Sequence, residues 1–552
     1  MAVTRSTPAE RRRAAATVPA RASRGREAAL LAGALAAVVL GLGLVYGALS
    51  RPFPDVEARL GRGELLNLNA APRREALLPL LSFAAEPAER AFLADRLWQR
   101  LSRPGEAPVE NVGELAKIRV EASEVLGNPK LAGLRARLGD RKEGTVALLA
   151  LSELRQLKPT AVVRTPREFR RLFWAWSALF LLGFAAVHAG FRWTGFRGDE
   201  LVLPILFTLT GVGLALMLAV RDPLRDLALF RPFVQGVLGG CALLFAASRV
   251  DWERSRLARL RFAPLGGALL LSLLLILFGN GPGGSDAKVN LFGFQPVEAI
   301  KILVVLFLAG YFCDRWEFLR ELPERRPALA RVAQWVRIPK LEYALPPVAA
   351  IAIVLFFFFL QRDLGPALVM ALLFLLLYSV ARGRPLLTLA GLALLLGGFF
   401  AGYALGIPQT VTGRIAMWLA PWDTWRRGGD HLAQSLWSFA GGALTGTGLG
   451  LGEPQRVPEV HTDLILAAAG EELGFAGLLA IFGLYAVLVQ RSFRAARRAS
   501  GVYSFFLAAG LTLVTAIQTL LIAGGVVGFL PLSGVVSPFL SFGRSSMLAN
   551  FL

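Results

Sequence analysis

Along most of this chain apolar residues gather into long unbroken runs rather than the one-sided stripes of a surface helix. Runs long enough to cross a bilayer fall at about 28–49, 172–191, 201–220, 233–247, 262–278, 296–312, 345–360, 364–380, 386–405, 464–488, 504–530 and 532–552. They predict roughly twelve membrane helices. The pattern breaks between 51 and 171, where charged, proline-containing sequence shows helix-like spacing over 88–101 and 112–126. That stretch reads as a small, mainly helical domain inserted between the first two spans. Within it, Leu66-Asn67-Leu68-Asn69-Ala70-Ala71 resembles the opening of a helix-hairpin-helix module that grips DNA backbones, but no glycine hairpin follows. An Asn-containing turn or helix cap is the simpler reading.

Composition agrees with the pattern. A chain of 552 residues with 55% hydrophobic content and a mean hydropathy of +0.54 is too apolar for a soluble globular protein, which makes it a polytopic integral membrane protein. The formal charge of +21 raises the thought of nucleic acid, yet the arginines sit mainly between apolar runs, so no nucleic-acid partner is expected. Arg249, Arg254, Arg256, Arg259 and Arg261 fill one connection. Arg315, Arg320, Arg325, Arg326, Arg331, Arg337 and Lys340 fill another, and Arg491, Arg494, Arg497 and Arg498 a third. Helix counting puts all three on one face with Arg11, Arg12 and Arg13, and the positive-inside rule makes that face cytoplasmic.

Residues 1–27 then form a basic cytoplasmic N-terminus. Residues 28–50 form an uncleaved anchor, the run being long for a signal peptide and lacking a small-residue cleavage site. Residues 51–171 become an extracytoplasmic domain, 172–199 an extra membrane helix with its linker, and the connection 406–462 lies outside. Arg164, Arg167, Arg170 and Arg171 crowd the supposed outer side against the rule, although long segments cross regardless of charge. Cys241 and Cys313 lie within or at the end of apolar runs, which leaves no disulfide framework or thiolate metal site.

Ionisable groups beside membrane-length apolar runs are costly to desolvate and are functional candidates by default. Asp463, at the head of the run from Leu464, is the strongest: partial desolvation would raise its pKa and suit it to take a proton from a sugar hydroxyl. His461 is a neighbour able to tune it, and Glu459 and Thr462 complete the segment. The plain alternative is an acid that caps the next helix. Arg414, Gln434-Ser435 and a train of glycines from Gly441 to Gly450 suggest a shaped polar surface with backbone close to a ligand, or a turn-rich loop. Glu298 and Lys301 share a helical face and can pair towards a cavity. Arg362 is placed either to hold a phosphate or to balance Asp363. Ser541, Arg544 and Ser545 fall in a Pro-, Gly- and Ser-interrupted stretch expected to border a cavity.

These segments together resemble the SEDS family, the shape, elongation, division and sporulation proteins that include FtsW, RodA and SpoVE. Phe294-Gln295-Pro296-Val297-Glu298-Ala299-Ile300-Lys301 is similar to the family's "FQPSE-x-x-K", and Gln361-Arg362-Asp363-Leu364-Gly365 to "QPDLG". Gln434-Ser435 with its glycines, Pro458 to Asp463 ("LPE-x-HTD"), Glu471 to Gly474 ("EELG") and Pro538 to Ser546 ("PF-x-SYGGSS") follow in order. Arg362 stands where Pro is usual, Ile522 where Asn is frequent, and Phe542 and Arg544 replace the Tyr and second Gly of the last motif.

The resemblance implies an all-α fold: a ten-helix SEDS-like catalytic core over 200–552, here with about two extra N-terminal membrane helices and the small inserted domain. It implies a peptidoglycan glycosyltransferase that polymerises lipid II into glycan strands at the outer face of the cytoplasmic membrane, with Asp463 essential. The growing lipid-linked strand, membrane lipids and a class B penicillin-binding transpeptidase are the implied partners. Arg414, Arg362 or a divalent cation such as Mg or Mn would steady the departing charge. A transporter or flippase of lipid-linked precursors is the alternative, since it would use the same polar cavity without a base at its rim. The last motif falls close to Leu552, so a minimal cytoplasmic tail is expected.

Overall fold

The computed structural model describes residues 20–103, 105–139, 143–281, 287–320, 341–383, 385–406 and 409–552. The basic run with Arg11, Arg12 and Arg13, and Arg325, Arg326, Arg331, Arg337 and Lys340, lie outside the described residues. The chain is a multi-pass, helical membrane protein. Ten of its described helices are long and apolar enough to cross a bilayer.

In chain order the membrane helices are α1 (Ala20–Ser50), α2 (Pro166–Thr194), α3 (Val202–Ala219), α4 (Phe230–Ala247), α5 (Ala263–Phe278), α6 (Pro296–Arg320), α7 (Leu341–Leu360), α8 (Leu364–Arg382) and α9 (Leu386–Leu405). Two shorter helices follow, α10 (Gln409–Leu419) and α11 (Gly429–Gly442), then the long α12 (Ile465–Arg497), α13 (Val502–Val526) and the two-turn α14 (Arg544–Phe551). Helix α5 is equally apolar but only 16 residues long.

The last expected span, 532–552, does not form. Residues 531–537 are irregular, and only α14, of 8 residues, is helical. Pro531 and Pro538 cannot donate to a helix ladder, and Gly534 and Phe539 have φ of 70° and 65°. Such backbone is tolerated at membrane depth where it borders a polar cavity instead of lipid.

Two apolar cores divide the molecule. One joins α1 to α4 with α12 and the C-terminal residues Phe539 to Phe551; the other joins α5 to α8 with most of α13. The two extra helices flank the first: Val38 of α1 sits on Gly211 of α3, and Gly183 and Gly190 of α2 let Leu238 and Phe245 of α4 approach. Helix α2 is set up locally by a capping box, Thr165 accepting from the Glu168 amide and Glu168 from the Thr165 amide, with Pro166 as first helical residue.

The arginine-rich connections gather at the end of the bundle away from the heads of α4, α6, α8 and α12. There Arg261 pairs with Asp314, Arg491 lies 3.5 Å from Asp199, and Glu253 accepts from the amide and hydroxyl of Ser504 at 3.0 and 2.7 Å.

The segment between α1 and α2 has an apolar core of its own. The helix expected at 88–101 is present as Pro87–Leu101, but 112–126 is not one helix. It is a 3₁₀ turn (Val112–Lys117), a strand (Arg119–Glu121) paired antiparallel with Thr145–Ala147, and a short helix (Ala122–Leu126). The Asn111 side chain caps the turn at Gly113, while Ile118 and Val120 favour extended backbone. Asn67 caps a second turn by accepting from the Asn69 amide.

This segment is bolted to the 221–229 connection. The amides of Val112, Val163 and Arg164 donate to the carbonyls of Arg225 and Leu224 at 2.9–3.1 Å, and Lys158 pairs with Asp226 at 2.7 Å. Arg164, which charge counting made a topological anomaly, is buried and donates to the carbonyls of Pro223 and Glu110, both at 2.7 Å. It serves as a docking bolt. Arg167, Arg170 and Arg171 stay exposed.

Candidate active site

A polar cavity of about 900 Å³ opens at the seam between the two cores, at the end of the bundle opposite the arginine-rich connections. Asp463 faces it from the turn that leads into α12. Glu459 adopts φ 47°, and its carbonyl accepts from the amide of Thr462 at 3.1 Å and of Leu464 at 3.4 Å, a tight turn just ahead of the helix. The N-cap position belongs to Leu464, with no side-chain cap. Asp463 is therefore not spent on capping; its half-buried carboxylate faces the cavity.

Arg414 comes from α10 and donates to the carbonyls of Ser533 at 2.8 Å and Leu532 at 3.3 Å. A Cβ built on Gly534 would lie 3.5 Å from its Nη2 and 3.8 Å from Asp463 Oδ2, so guanidinium and carboxylate both border this glycine. Burial pushes Asp463 up to about 6, helped by the Glu459 charge and opposed by Arg414. Asp363, at the head of α8, is likewise raised by burial to about 6, with Arg414 and Lys301 opposing. Burial lowers the Arg414 pKa and the two aspartates raise it. One guanidinium thus serves two carboxylates, which titrate as a coupled set.

Glu298 and Lys301 form a buried ion pair at 2.8 Å on the cavity wall. His461 and Thr462 also line it. Burial first, then the Arg221 charge, depress the His461 pKa, so the ring is neutral at neutral pH, stacked obliquely on Phe542 at 5.6 Å. Ser545 accepts from the Gln295 amide at 3.0 Å, and Arg544 reaches the cavity with no ion pair among the described residues. Ser541 works from behind: its hydroxyl donates to the Thr462 carbonyl at 2.6 Å and, with the Phe542 amide donating to His461, ties the C-terminal segment to the Asp463 turn.

Three expected positions lie elsewhere. Arg362 is exposed, has φ 58° and does not line the cavity; the cation beside the aspartates is Arg414. Gln434 and Ser435 lie on α11, where the buried Ser435 hydroxyl donates to Val526 at 3.0 Å and locks α11 to the end of α13. Two of the glycines after them meet α12 backbone: a Cβ on Gly442 would come 1.9 Å from the Gly470 carbonyl, and one on Gly446 2.2 Å from that of Glu472. They permit helix contact with α12, where small residues let backbones touch.

Arg231, Gln235 and Glu110 also line the cavity and were not singled out from the sequence. Arg231 is the second residue of α4, an ionisable group at the head of an apolar run, and the criterion that picked Asp463 applies to it equally. Glu110 carries no such signal, because only docking of the inserted segment brings it there. No group of three or more His, Cys, Asp or Glu among the described residues is placed to hold a metal ion.

The family model described as cell cycle protein, for FtsW, RodA and SpoVE, matches residues 206–552. The peptidoglycan glycosyltransferase RodA of Mycobacterium leprae is 30% identical over 418 residues, covering 74% of this chain and 85% of the relative. The RodA of Mycobacterium tuberculosis (strain H37Rv) is 31% identical, covering 68% and 80%. A probable peptidoglycan glycosyltransferase FtsW of Geobacter metallireducens is 30% identical, covering 64% and 92%. A chain from a solved peptidoglycan synthase complex shares the fold, with TM-score 0.50 and 24% identity over 63% of this chain and 93% of that one.

Proposed function

This chain belongs to the FtsW/RodA/SpoVE family, and from that premise we propose that it polymerises lipid II into glycan strands, with Asp463 as general base. It is a peptidoglycan glycosyltransferase. The observation that carries the role of Asp463 is its half-buried carboxylate, held in a polar cavity across Gly534 from Arg414.

In the reaction, Asp463 takes the proton of the acceptor sugar hydroxyl as that oxygen attacks the anomeric carbon of the lipid-linked saccharide. The anomeric C–O bond breaks, and its electron pair leaves with the polyprenyl diphosphate. Arg414 and Lys301, held in place before the substrate arrives, and the exposed Arg544 stabilise the charge that develops on the leaving group. A divalent cation would have to rely on Asp363, whose carboxylate already accepts from the Gly365 amide and faces the charges of Arg414 and Lys301, and would supply positive charge for the leaving group.

The arginine-rich end of the bundle supports a cytoplasmic placement for that end, hence a cavity opening outside the cytoplasmic membrane, where the inserted segment also lies. A class B penicillin-binding transpeptidase is the partner we expect, since one fold relative comes from a complex that couples polymerisation to crosslinking.

The test is glycan synthesis from purified lipid II, read on gels. Asp463→Asn should lower the rate by about 10²–10⁴-fold while the thermal unfolding midpoint stays put. Normal polymer from the variant would remove Asp463 from its role.

A further inference from the structure

Apart from Arg544, the cations around the cavity are matched, one of them by an import. Lys301 pairs with Glu298, and Arg414 lies between Asp463 and Asp363, all within the membrane part. Arg231 is matched differently: its Nη1 lies 3.0 Å from Oε1 of Glu110, which belongs to the inserted segment. Among the described residues, Glu110 is the one cavity-lining side chain that this segment supplies.

The backbone around Glu110 is held firmly. Its carbonyl accepts from Arg164 at 2.7 Å. On one side Val109 exchanges hydrogen bonds with the Asn69 side chain at 2.8 and 2.9 Å; on the other the Val112 amide donates to Arg225 at 3.0 Å. The carboxylate itself is 48% exposed and Arg231 34% exposed, so the pair breaks by a side-chain rotation with no domain movement. Such half-exposed pairs are weak, and a diphosphate, with more charge and more acceptor oxygens, competes for the same guanidinium.

We propose that the inserted segment is a built-in wall of the catalytic cavity and that Glu110 is a latch on Arg231, masking it until the diphosphate of a polyprenyl-linked saccharide displaces the carboxylate. This rests on the glycosyltransferase reading. Arg231 then contacts the phosphates, and Glu110 sets how tightly the cavity takes them without touching the reacting atoms.

The experiment measures binding of undecaprenyl diphosphate to the full-length protein in nanodiscs, for wild type, Glu110→Gln, Arg231→Gln and the double variant. Releasing the latch should tighten binding up to about fivefold, the range of a half-exposed pair. Arg231→Gln should weaken it, and Glu110→Gln should add nothing in that background. Inorganic pyrophosphate should show the same Glu110 dependence at lower affinity. Unchanged or weaker binding by Glu110→Gln, a gain that persists without Arg231, or equal dependence with uncharged undecaprenol would each overturn the proposal. If wild type polymerises lipid II while Glu110→Gln binds no tighter, the latch alone falls; if wild type neither binds nor polymerises, both readings fall.

Discussion

Arg414 donates to the carbonyl of Ser533 at 2.8 Å, across 119 residues of sequence, and this bond holds the guanidinium at the glycine that Asp463 also borders. Replacing Arg414 tests charge and geometry separately. Gln removes the cation from two half-buried aspartates and should cost on the order of 10²-fold in polymerisation, as loss of one preorganised charge-stabilising group does. Lys keeps the charge but loses Nη2, which borders Gly534 beside Asp463 while Nη1 holds both carbonyls, so it should recover only part of the rate. Gel-resolved initial rates at saturating and limiting lipid II would check both.

The pH profile carries the sign of the Asp463 shift. A base works only when deprotonated, so activity should rise through about pH 6 and level off above it. Glu459→Gln removes a charge that raises the Asp463 pKa and should move the midpoint down. Arg414→Gln removes one that lowers it and should move the residual activity's midpoint up. Because Asp363 titrates in the same range beside the same guanidinium, the midpoint belongs to the pair. Opposite displacements in the two variants are the outcome to look for.

The Glu298–Lys301 pair should behave as a buried ion pair does. Removing one partner, as in Lys301→Met, leaves a carboxylate without compensation and should destabilise by about 3–5 kcal/mol. Replacing both, Glu298→Gln with Lys301→Met, should cost clearly less. Unfolding followed by scanning calorimetry in detergent would separate the two, and both variants should lose polymerisation because the pair lines the cavity.

Gly441 and Gly446 lie five positions apart and should respond oppositely to alanine. A Cβ on Gly441 meets nothing within 4 Å, so Gly441→Ala should stay within about 0.5 kcal/mol of wild type. At Gly446, φ is 81° and a Cβ would fall 2.2 Å from the Glu472 carbonyl, so Gly446→Ala should part α11 from α12. Unfolding midpoints in detergent would show the contrast.

The sequence by itself determined the solvent and the class of chemistry. Uninterrupted apolar runs make a membrane bundle because backbone polar groups in lipid must be satisfied within each helix. Asp463 stood out because a carboxylate at the head of such a run must have a reason to be there. Glu298 and Lys301 were readable as a pair because three-residue spacing is a local property of a helix.

The tertiary structure decided what depends on distant segments meeting. It set Arg414, rather than the nearer Arg362, beside both aspartates, and turned Ser435, Gly442 and Gly446 from a ligand surface into a joint between helices. It left 531–543 outside any regular helix because that stretch borders a cavity the local pattern cannot show. It also brought Glu110 onto Arg231 through the docking of a segment whose own periodicity carries no trace of the site. Hydropathy and helical spacing act over a few turns of one helix, whereas a cavity is built by side chains from many, and their proximity is settled only when the two apolar cores close.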